Sequence, residues 1–310
     1  MQTFLSAVCT AALIGLFLVA FGALFGRIHP IVDLFGQFLL PAMVGAALLA
    51  LFAILTARYA TASLAIVALL GSIAIAWPWI HEPAPAQTTG PRFKLLAFNV
   101  FYYNARLDLA AKMVREADAD IVVLLEIVPH VRPKLGELDA LYPHRLECWQ
   151  RPRCDALILS RFPLTDISSN LPAAQTTRSL ASATVDVQGK PLTLFAAHLI
   201  LPFPFTRYDV QPAQADDVAN TVASVPGPRL LVGDFNAATW GTAVARSRER
   251  AGLNVLTGPG GSWPTFLPKQ LGIPIDHVMA SPELALLSRR LLAVDGSDHR
   301  AVLTEIAFVD

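Results

Sequence analysis

Polar side chains stand at the ends of six apolar, strand-like runs in this sequence. They are Asn99, Glu126, His198, Asp234 with Asn236, Asp276, and Asp298 with His299. A carboxylate, amide or imidazole is costly to bury without a partner, so these strand ends are predicted to converge on one polar pocket. Oxygen ligands suit a hard cation and histidines suit proton transfer, which together indicate metal-assisted chemistry on a phosphate group.

The string Gly-Asp-Phe-Asn is more specific than any single acidic residue. Residues two apart in an extended chain point to the same side, so Asp234 and Asn236 would face one pocket while Phe235 faces the core. The carboxylate can bind a metal, or position or deprotonate a nucleophile, and the amide can hold a phosphate oxygen or the nucleophile. The alternative is an ordinary Asx turn.

Two histidines and two aspartates supply the remaining polar candidates. His299 is a candidate general base or a cation that stabilises the transition state, and Asp276 can fix its tautomer. Asp298 is a candidate metal ligand. His198 suits transition-state stabilisation or proton donation to the leaving oxygen. For any single histidine the alternative is a structural role.

Glu126 follows the apolar run Ile121–Leu125, so it is either a metal ligand or a capping or surface charge. Asn99 can orient Glu126 or hold an oxygen at the metal. Four further cationic or imidazole side chains within reach of a phosphate are more consistent with structural or surface roles: His277, Arg300, Arg178 and Arg207.

Hydrophobic residues make up 54% of the 310-residue chain, and the excess lies at the N-terminus. Three apolar runs, 3–25, 38–57 and 60–80, each approach or exceed the ~20 residues that cross a bilayer. They predict a membrane anchor of three transmembrane helices over residues 1–80, followed by a linker at 81–92 and a catalytic domain at 93–310. A cleaved signal peptide is the alternative for the first run, which lacks a basic leading segment.

The charge and the cysteine content limit the cellular compartments and the binding partners that are consistent with this sequence. Lys plus Arg and Asp plus Glu both number 24, and this balance disfavours a nucleic-acid binder. Cys148 and Cys154 lie in one polar loop and are either disulfide-bonded or free thiols. A disulfide would place the domain outside the cytoplasm. We therefore expect a bacterial inner-membrane protein with a periplasmic or extracellular catalytic domain, and the lipid bilayer as its partner.

Strands and helices are mixed along the polar part of the chain. Some strands follow one another directly, as in Ala181–Val187 and Leu192–Leu199, whereas helices such as 211–224 separate others. This order predicts two mixed sheets covered by helices.

The ordered strings FNV, LLEI, AAHL, GDFNA, IDHV and SDHR resemble the endonuclease/exonuclease/phosphatase (DNase I-like) superfamily from Phe93 to Phe308. The resemblance implies an α+β fold, a four-layer α/β/β/α sandwich, here preceded by three transmembrane helices. It implies Mg²⁺ or Mn²⁺ at Glu126 with Asn99 and Asp298 nearby, and in-line attack of water on a phosphate ester.

The same resemblance assigns roles to the remaining site residues. It pairs His299 with Asp276, brings His198 to the phosphate, and places Asp234 and Asn236 at the nucleophile or leaving group. It leaves His198 without a clear acidic partner, because Glu147 is the only nearby candidate. We therefore expect a membrane-anchored, metal-dependent phosphoesterase. The alternative is a catalytically silent domain that binds a phosphate-bearing ligand or a partner.

Overall fold

A computed structural model describes residues 2–81, 88–148, 154–169, 179–203 and 209–309 of the chain. The α-helices are α1 (Gln2–Phe25), α2 (Pro30–Gly36), α3 (Leu39–Leu55), α4 (Tyr59–Ile80), α5 (Leu107–Ala117), α6 (Val210–Ala223) and α7 (Thr242–Ala251). The strands are β1 (Arg92–Asn99), β2 (Ile121–Leu125), β3 (His144–Glu147), β4 (Leu157–Ser160), β5 (Leu164–Ser168), β6 (Ser179–Val187), β7 (Lys190–His198), β8 (Arg229–Asp234), β9 (Asn254–Val255), β10 (Asp276–Ala280), β11 (Leu284–Leu292) and β12 (Ala301–Phe308).

The strands form two six-stranded sheets that pack face to face. The first sheet has the order β11-β12-β1-β2-β4-β3 and the second has the order β5-β6-β7-β8-β10-β9. Helix α5 and a 3-10 helix at Arg132–Ala140 cover the outer face of the first sheet, and α6 and α7 cover that of the second. The expected four-layer α/β/β/α sandwich is therefore confirmed.

Central strands are buried on both faces, which explains why their sequences read as continuous apolar runs. In β1, Leu95 and Ala97 point into the core between the sheets. Leu96 and Phe98 point outward beneath helix α5. Side chains alternate across a strand, so one run of apolar residues contributes to two cores.

The parallel pairs of each sheet lie at its centre and bring strand ends together. Strand β1 pairs in parallel with β2, with Asn99 opposite Leu125. Strand β7 pairs in parallel with β8, with His198 opposite Asp234. Both pairs thus end in polar residues at one edge of the sandwich, and Asp276, at the start of antiparallel β10, lies beside Asp234.

Most elements agree with the sequence pattern, and the exceptions are short or irregular. The strand at Arg229–Asp234 has the expected bounds. Strands β5 and β9 were not predicted, because β5 is largely exposed and β9 has two residues. The stretch near residue 131, expected to be a helix or a loop, is a 3-10 helix.

The N-terminal helical segment, Gln2–Ile80, was expected to form three straight membrane-spanning helices, and two of its helical stretches fit this expectation. Two stretches are long and apolar enough to cross a membrane, Gln2–Ile28 and Tyr59–Ile80. The expected span 38–57 is the 17-residue helix α3, which makes a third crossing if it is counted together with α2, to which it is bent by 56°. Pro30 starts α2, and the ring of His29 accepts a hydrogen bond from the backbone N–H of Ile31, so the polar break in the sequence forms a helix of its own.

One end of this segment contacts the sandwich. The carbonyl of Trp79, at the end of α4, accepts a hydrogen bond from Gly258 N at 3.1 Å. Leu39 and Leu40, at the start of α3, pack with Trp240. The opposite end, where Arg58 donates to the Ser6 hydroxyl, lies at the start of α1 and of α4. The sandwich therefore adjoins the helix ends farthest from the beginning of α1.

The sulfur atoms of Cys148 and Cys154 are bonded to each other, with their Cα atoms 5.4 Å apart. The link joins the end of β3 to the segment that leads into β4, while residues 149–153 lie outside the described part. It closes a short loop beside the inner core, to which both cysteines belong.

We predict that protein purified without reductant retains this bond. Trypsin cleavage after Arg153 separates Cys148 from Cys154, so the two peptides should run as one cross-linked species that separates on reduction. Mass spectrometry of alkylated, non-reduced digests measures this. Quantitative alkylation of both cysteines in the native protein would show free thiols and remove the argument for an oxidising compartment.

Candidate active site

The centre of the site is a buried amide that bridges two carboxylates. Asn99, at the end of β1, donates through Nδ2 to Glu126 Oε1 at 3.2 Å and to Asp234 Oδ2 at 3.1 Å. Glu126 directly follows β2 with φ +62°, and its Oε2 accepts a hydrogen bond from the Tyr102 backbone N–H at 2.8 Å. This residue trio joins the first sheet to the second.

His299 and Asp276 form the first of two histidine–carboxylate pairs. His299 Nδ1 lies 2.9 Å from Asp276 Oδ2, and His299 Nε2 lies 3.8 Å from Asp234 Oδ2. Burial alone would lower the pKa of His299, but the carboxylates of Asp276 and Asp234 raise it to about 10. His299 thus holds a proton in the absence of bound ligands, and its Nε2 faces the central carboxylate.

His198 and Asp155 form the second pair. His198 Nδ1 lies 3.0 Å from Asp155 Oδ2, and its Nε2 lies 3.7 Å from Asp234 Oδ2. Asp155 follows the disulfide directly, and its carbonyl accepts a hydrogen bond from Ile127 N at 2.8 Å. The two pairs therefore approach Asp234 through their Nε2 atoms in the same way.

The sequence analysis found no clear acidic partner for His198 and named Glu147 as the only nearby candidate, whereas the structure places Asp155 there. The Glu147 carboxylate is engaged by Arg132 at 2.5 Å and by Arg145 at 3.2 Å. Asp155 escaped notice because it lies in a polar, arginine-bearing loop and not at the end of an apolar run. The adjacent cysteine was the available signal, since a disulfide fixes the backbone of the next residue.

Asp234 and Asn236 form an Asx turn, and the same turn places Asp234 in the polar pocket. The Asn236 N–H donates to Asp234 Oδ1 at 2.7 Å, which is an Asx turn, and Asn236 adopts φ +47°. The same turn directs Asp234 toward the histidines, while Phe235 is fully buried under α6 and α7. Burial raises the pKa of Asp234 to about 6, and neighbouring Asp276 acts in the same direction.

Asp298 provides the clearest test of whether a cation would fit. Its Oδ2 accepts a hydrogen bond from Trp263 Nε1 at 3.0 Å. Its Oδ1 is buried and accepts no hydrogen bond from the residues that the structure describes, and His299 Nε2 lies 3.9 Å from it. A buried carboxylate oxygen without a donor is costly unless a cation compensates it. Glu126 supplies a second carboxylate at the same place, and its two oxygens accept hydrogen bonds from Asn99 and Tyr102. These oxygen donors suit a hard divalent metal.

A second grouping could also hold a metal by proximity alone. Ligand atoms of Asp234, Asp276 and His299 lie within 4.8 Å of one another. We favour Glu126 and Asp298 as metal ligands, because in the second grouping His299 Nδ1 and Asp276 Oδ2 already bond to each other at 2.9 Å.

Ser297 is a site residue that the sequence analysis missed. Its hydroxyl donates to the carbonyl of Asn99 at 2.8 Å and accepts from His299 N at 3.0 Å. It thereby fixes the Ser-Asp-His turn to the end of β1. A serine before an aspartate is too common in turns to indicate this role by itself.

Of the four further cationic or imidazole residues noted in the sequence, the two that the structure describes, His277 and Arg300, have structural roles. Burial lowers the pKa of His277 to about 4, so its neutral ring can donate to the Ala237 carbonyl, 2.8 Å away. Arg300 donates to the backbone carbonyls of residues 261, 264, 265 and 267 and is structural. Arg178 and Arg207 lie outside the described residues.

Comparison with known proteins gives the class to which this fold and site belong. The model of the endonuclease/exonuclease/phosphatase family matches residues 96–299, which is most of the sandwich. The chain therefore belongs to that family. None of the curated proteins compared with the chain matches it.

Solved structures share the fold at low sequence identity. An endonuclease/exonuclease/phosphatase from Beutenbergia cavernae is 19% identical, with 71% of this chain and 72% of that chain covered and a TM-score of 0.57. The 3′ phosphatase NExo from Neisseria, bound to product DNA hairpin, is 19% identical, with 68% and 98% covered and a TM-score of 0.54. Sphingomyelinase C from Streptomyces griseocarneus is 14% identical, with 69% and 99% covered and a TM-score of 0.52.

We predict that Asp155→Asn lowers kcat for phosphate-ester hydrolysis by about 10- to 100-fold, because His198 loses the carboxylate that orients it. Steady-state kinetics measures this. Glu147→Gln is the matched control, since it changes the other acidic candidate, which contacts arginines, and should leave kcat nearly unchanged. A larger loss in Glu147→Gln than in Asp155→Asn would contradict the assignment.

We also predict that Gly233→Ala destabilises the fold beside the site. Gly233 has φ +144°, and an added Cβ would lie 1.9 Å from the Ala197 carbonyl oxygen. Strain and overpacking each cost about 1–3 kcal/mol, so we expect a loss of about 3 kcal/mol or more in the free energy of unfolding. Gly227→Ala is the control, because Gly227 also has positive φ but open space around its Cβ. Equal losses in denaturant unfolding would refute the close contact.

Proposed function

We propose that the protein is a membrane-anchored phosphoesterase that hydrolyses phosphate esters with the help of Mg²⁺ or Mn²⁺. The observation that supports this most directly is the approach of two histidine–carboxylate pairs to one buried carboxylate. His198 and His299 each place Nε2 within 3.8 Å of Asp234 Oδ2. Family members hydrolyse phosphate esters, and two relatives of the same fold are named as a 3′ phosphatase and a sphingomyelinase.

The metal would be held by Glu126 and Asp298, with Asn99 orienting Glu126. When bound, it would polarise the phosphoryl group and lower the pKa of water. Because Glu126 and Asn99 are fixed by hydrogen bonds before any ligand enters, little reorganisation would be needed on binding.

The remaining residues hold protons and charge around the reacting phosphate. Asp276 keeps His299 protonated and oriented, so that Nε2 can donate to a phosphate oxygen as negative charge develops. Asp155 orients His198 for the same purpose or for protonation of the leaving oxygen. Asp234, ionised above its raised pKa of about 6, positions the attacking water, and Asn236 binds at the nucleophile or leaving group.

The N-terminal helical segment would serve as the membrane anchor. If α2 and α3 together make one crossing, the segment crosses three times and the sandwich lies on the side opposite the start of α1. The bond between Cys148 and Cys154 supports an oxidising compartment outside the cytoplasm. A tethered domain with almost no net charge favours a phosphate-ester substrate at or near the bilayer over long nucleic acid.

The proposal is tested with the full chain in detergent micelles, assayed on a generic phosphodiester and a generic phosphomonoester. We expect turnover with Mg²⁺ or Mn²⁺ that EDTA abolishes. His299→Ala should lower kcat by at least about 100-fold, because the transition state loses a fixed donor. The ester that is turned over then sets the substrate class to pursue.

His144→Ala is the matched control, because His144 lies on the outer strand β3 of the first sheet. It should retain full activity. Absence of turnover with either metal, from a protein that melts cooperatively, would contradict the proposal. Calorimetric binding of Mn²⁺ or inorganic phosphate would then support the silent, phosphate-binding alternative.

A further inference from the structure

The short helix α2 contacts the loop that carries Asn236. We call residues 236–241, between β8 and α7, the catalytic loop. Gln37, directly after α2, accepts a hydrogen bond through Oε1 from the Ala238 backbone N–H. The Gly36 carbonyl accepts one from Trp240 Nε1 at 2.6 Å. Two donors of the catalytic loop are thus satisfied by the N-terminal helical segment.

Asp33 of α2 fixes the end of the same loop. Its Oδ1 accepts hydrogen bonds from both the backbone N–H and the hydroxyl of Thr242, each at 2.8 Å. Thr242 is the first residue of α7, and the preceding Gly241 has no side chain to cap the helix. Asp33 therefore acts as the cap from another part of the chain, and its negative charge is favourable at a helix N-terminus.

The two α2 side chains support each other in a confined space. Gln37 Nε2 donates to Asp33 Oδ2 at 3.0 Å, so each holds the other in its bonding geometry. A Cβ at Gly26, in the turn before α2, would lie 2.5 Å from Asp33 Oδ1. A side chain at Gly26 would therefore displace the Asp33 carboxylate from the position in which it bonds Thr242.

The opposite side of the loop is held by the sandwich. Gln211 Nε2 donates to the carbonyls of Phe235 and Asn236, each at 3.0 Å. His277 bonds the Ala237 carbonyl. The sandwich therefore satisfies acceptors of the segment 235–237, whereas α2 satisfies the donors of Ala238 and Trp240. The Asn236 side chain also donates through Nδ2 to the Leu199 carbonyl at 3.0 Å. The two sets of bonds therefore hold the catalytic loop from opposite sides.

We propose that Asp33 and Gln37 are positioning residues for the reaction, which act by holding the catalytic loop and thereby Asn236 beside Asp234. This inference rests on the proposed hydrolytic function. It makes the N-terminal helical segment a part of the catalytic unit, so that the sandwich works at full rate only with α2 docked on it.

The experiment uses the full chain in lipid nanodiscs, with Gln37→Ala and Asp33→Ala. We expect kcat to fall by about 10- to 100-fold, the range for a misplacement of about 1 Å. KM should stay within about threefold, since Asn236 would act mainly in the transition state. In hydrogen exchange, the amides of Ala238 and Thr242 should exchange faster, while β1 and β7 stay protected.

Arg27→Ala is the matched control. Arg27, in the same turn region, forms an ion pair with Glu249 of α7, and both side chains are more than half exposed. This variant removes another link between the helical segment and the sandwich without touching the catalytic loop. It should keep wild-type kcat and exchange, because exposed ion pairs contribute little.

The outcomes separate this inference from the proposed function. Wild-type protein without turnover would refute the function, and exchange at residues 236–242 would still decide whether α2 holds the loop. If Gln37→Ala and Asp33→Ala match Arg27→Ala in both kcat and exchange, the positioning role is refuted. A change in KM alone, or unfolding of the whole sandwich, would also refute it.

Discussion

The burial of the Asp234 carboxylate is the constraint on which the rest of the site depends. It lies at the point where the two sheets meet, almost without solvent contact. An isolated buried charge is costly, so its neighbours must compensate it. Asn99 donates a hydrogen bond from the first sheet, and His198 and His299 approach with their Nε2 atoms. The same donors that stabilise Asp234 are those that a phosphate would require.

His299 and His277 show how the surroundings of a buried histidine decide its charge. Asp276 and Asp234 raise the pKa of His299, although burial opposes this, so His299 holds a proton. His277 lies one residue after Asp276, yet burial lowers its pKa and it bonds a backbone carbonyl. His299 and His277 thus differ in charge, because His299 bonds Asp276 and faces Asp234, whereas His277 bonds a backbone carbonyl.

In the N-terminal helical segment, too, a carboxylate away from water is stabilised by hydrogen bonds from its neighbours. Asp33 is the acidic residue within an apolar stretch of 80 residues, and its carboxylate is matched by Thr242 and Gln37. These bonds replace the water that a surface aspartate would have. They also connect the helices to Thr242, directly after the catalytic loop and six residues beyond Asn236.

The sequence by itself determined the buried strands, the two-sheet class and the polar residues at the strand ends, because burial on both faces of a strand leaves a local apolar pattern. The exposed strand β5 and the two-residue strand β9 leave no such pattern. The tertiary structure decided which side chains meet. His198 and Asp155 are 43 residues apart, and Gln37 and Ala238 are 201 apart. Such pairings, like the bend between α2 and α3, depend on the packing of distant segments, and no local pattern records them.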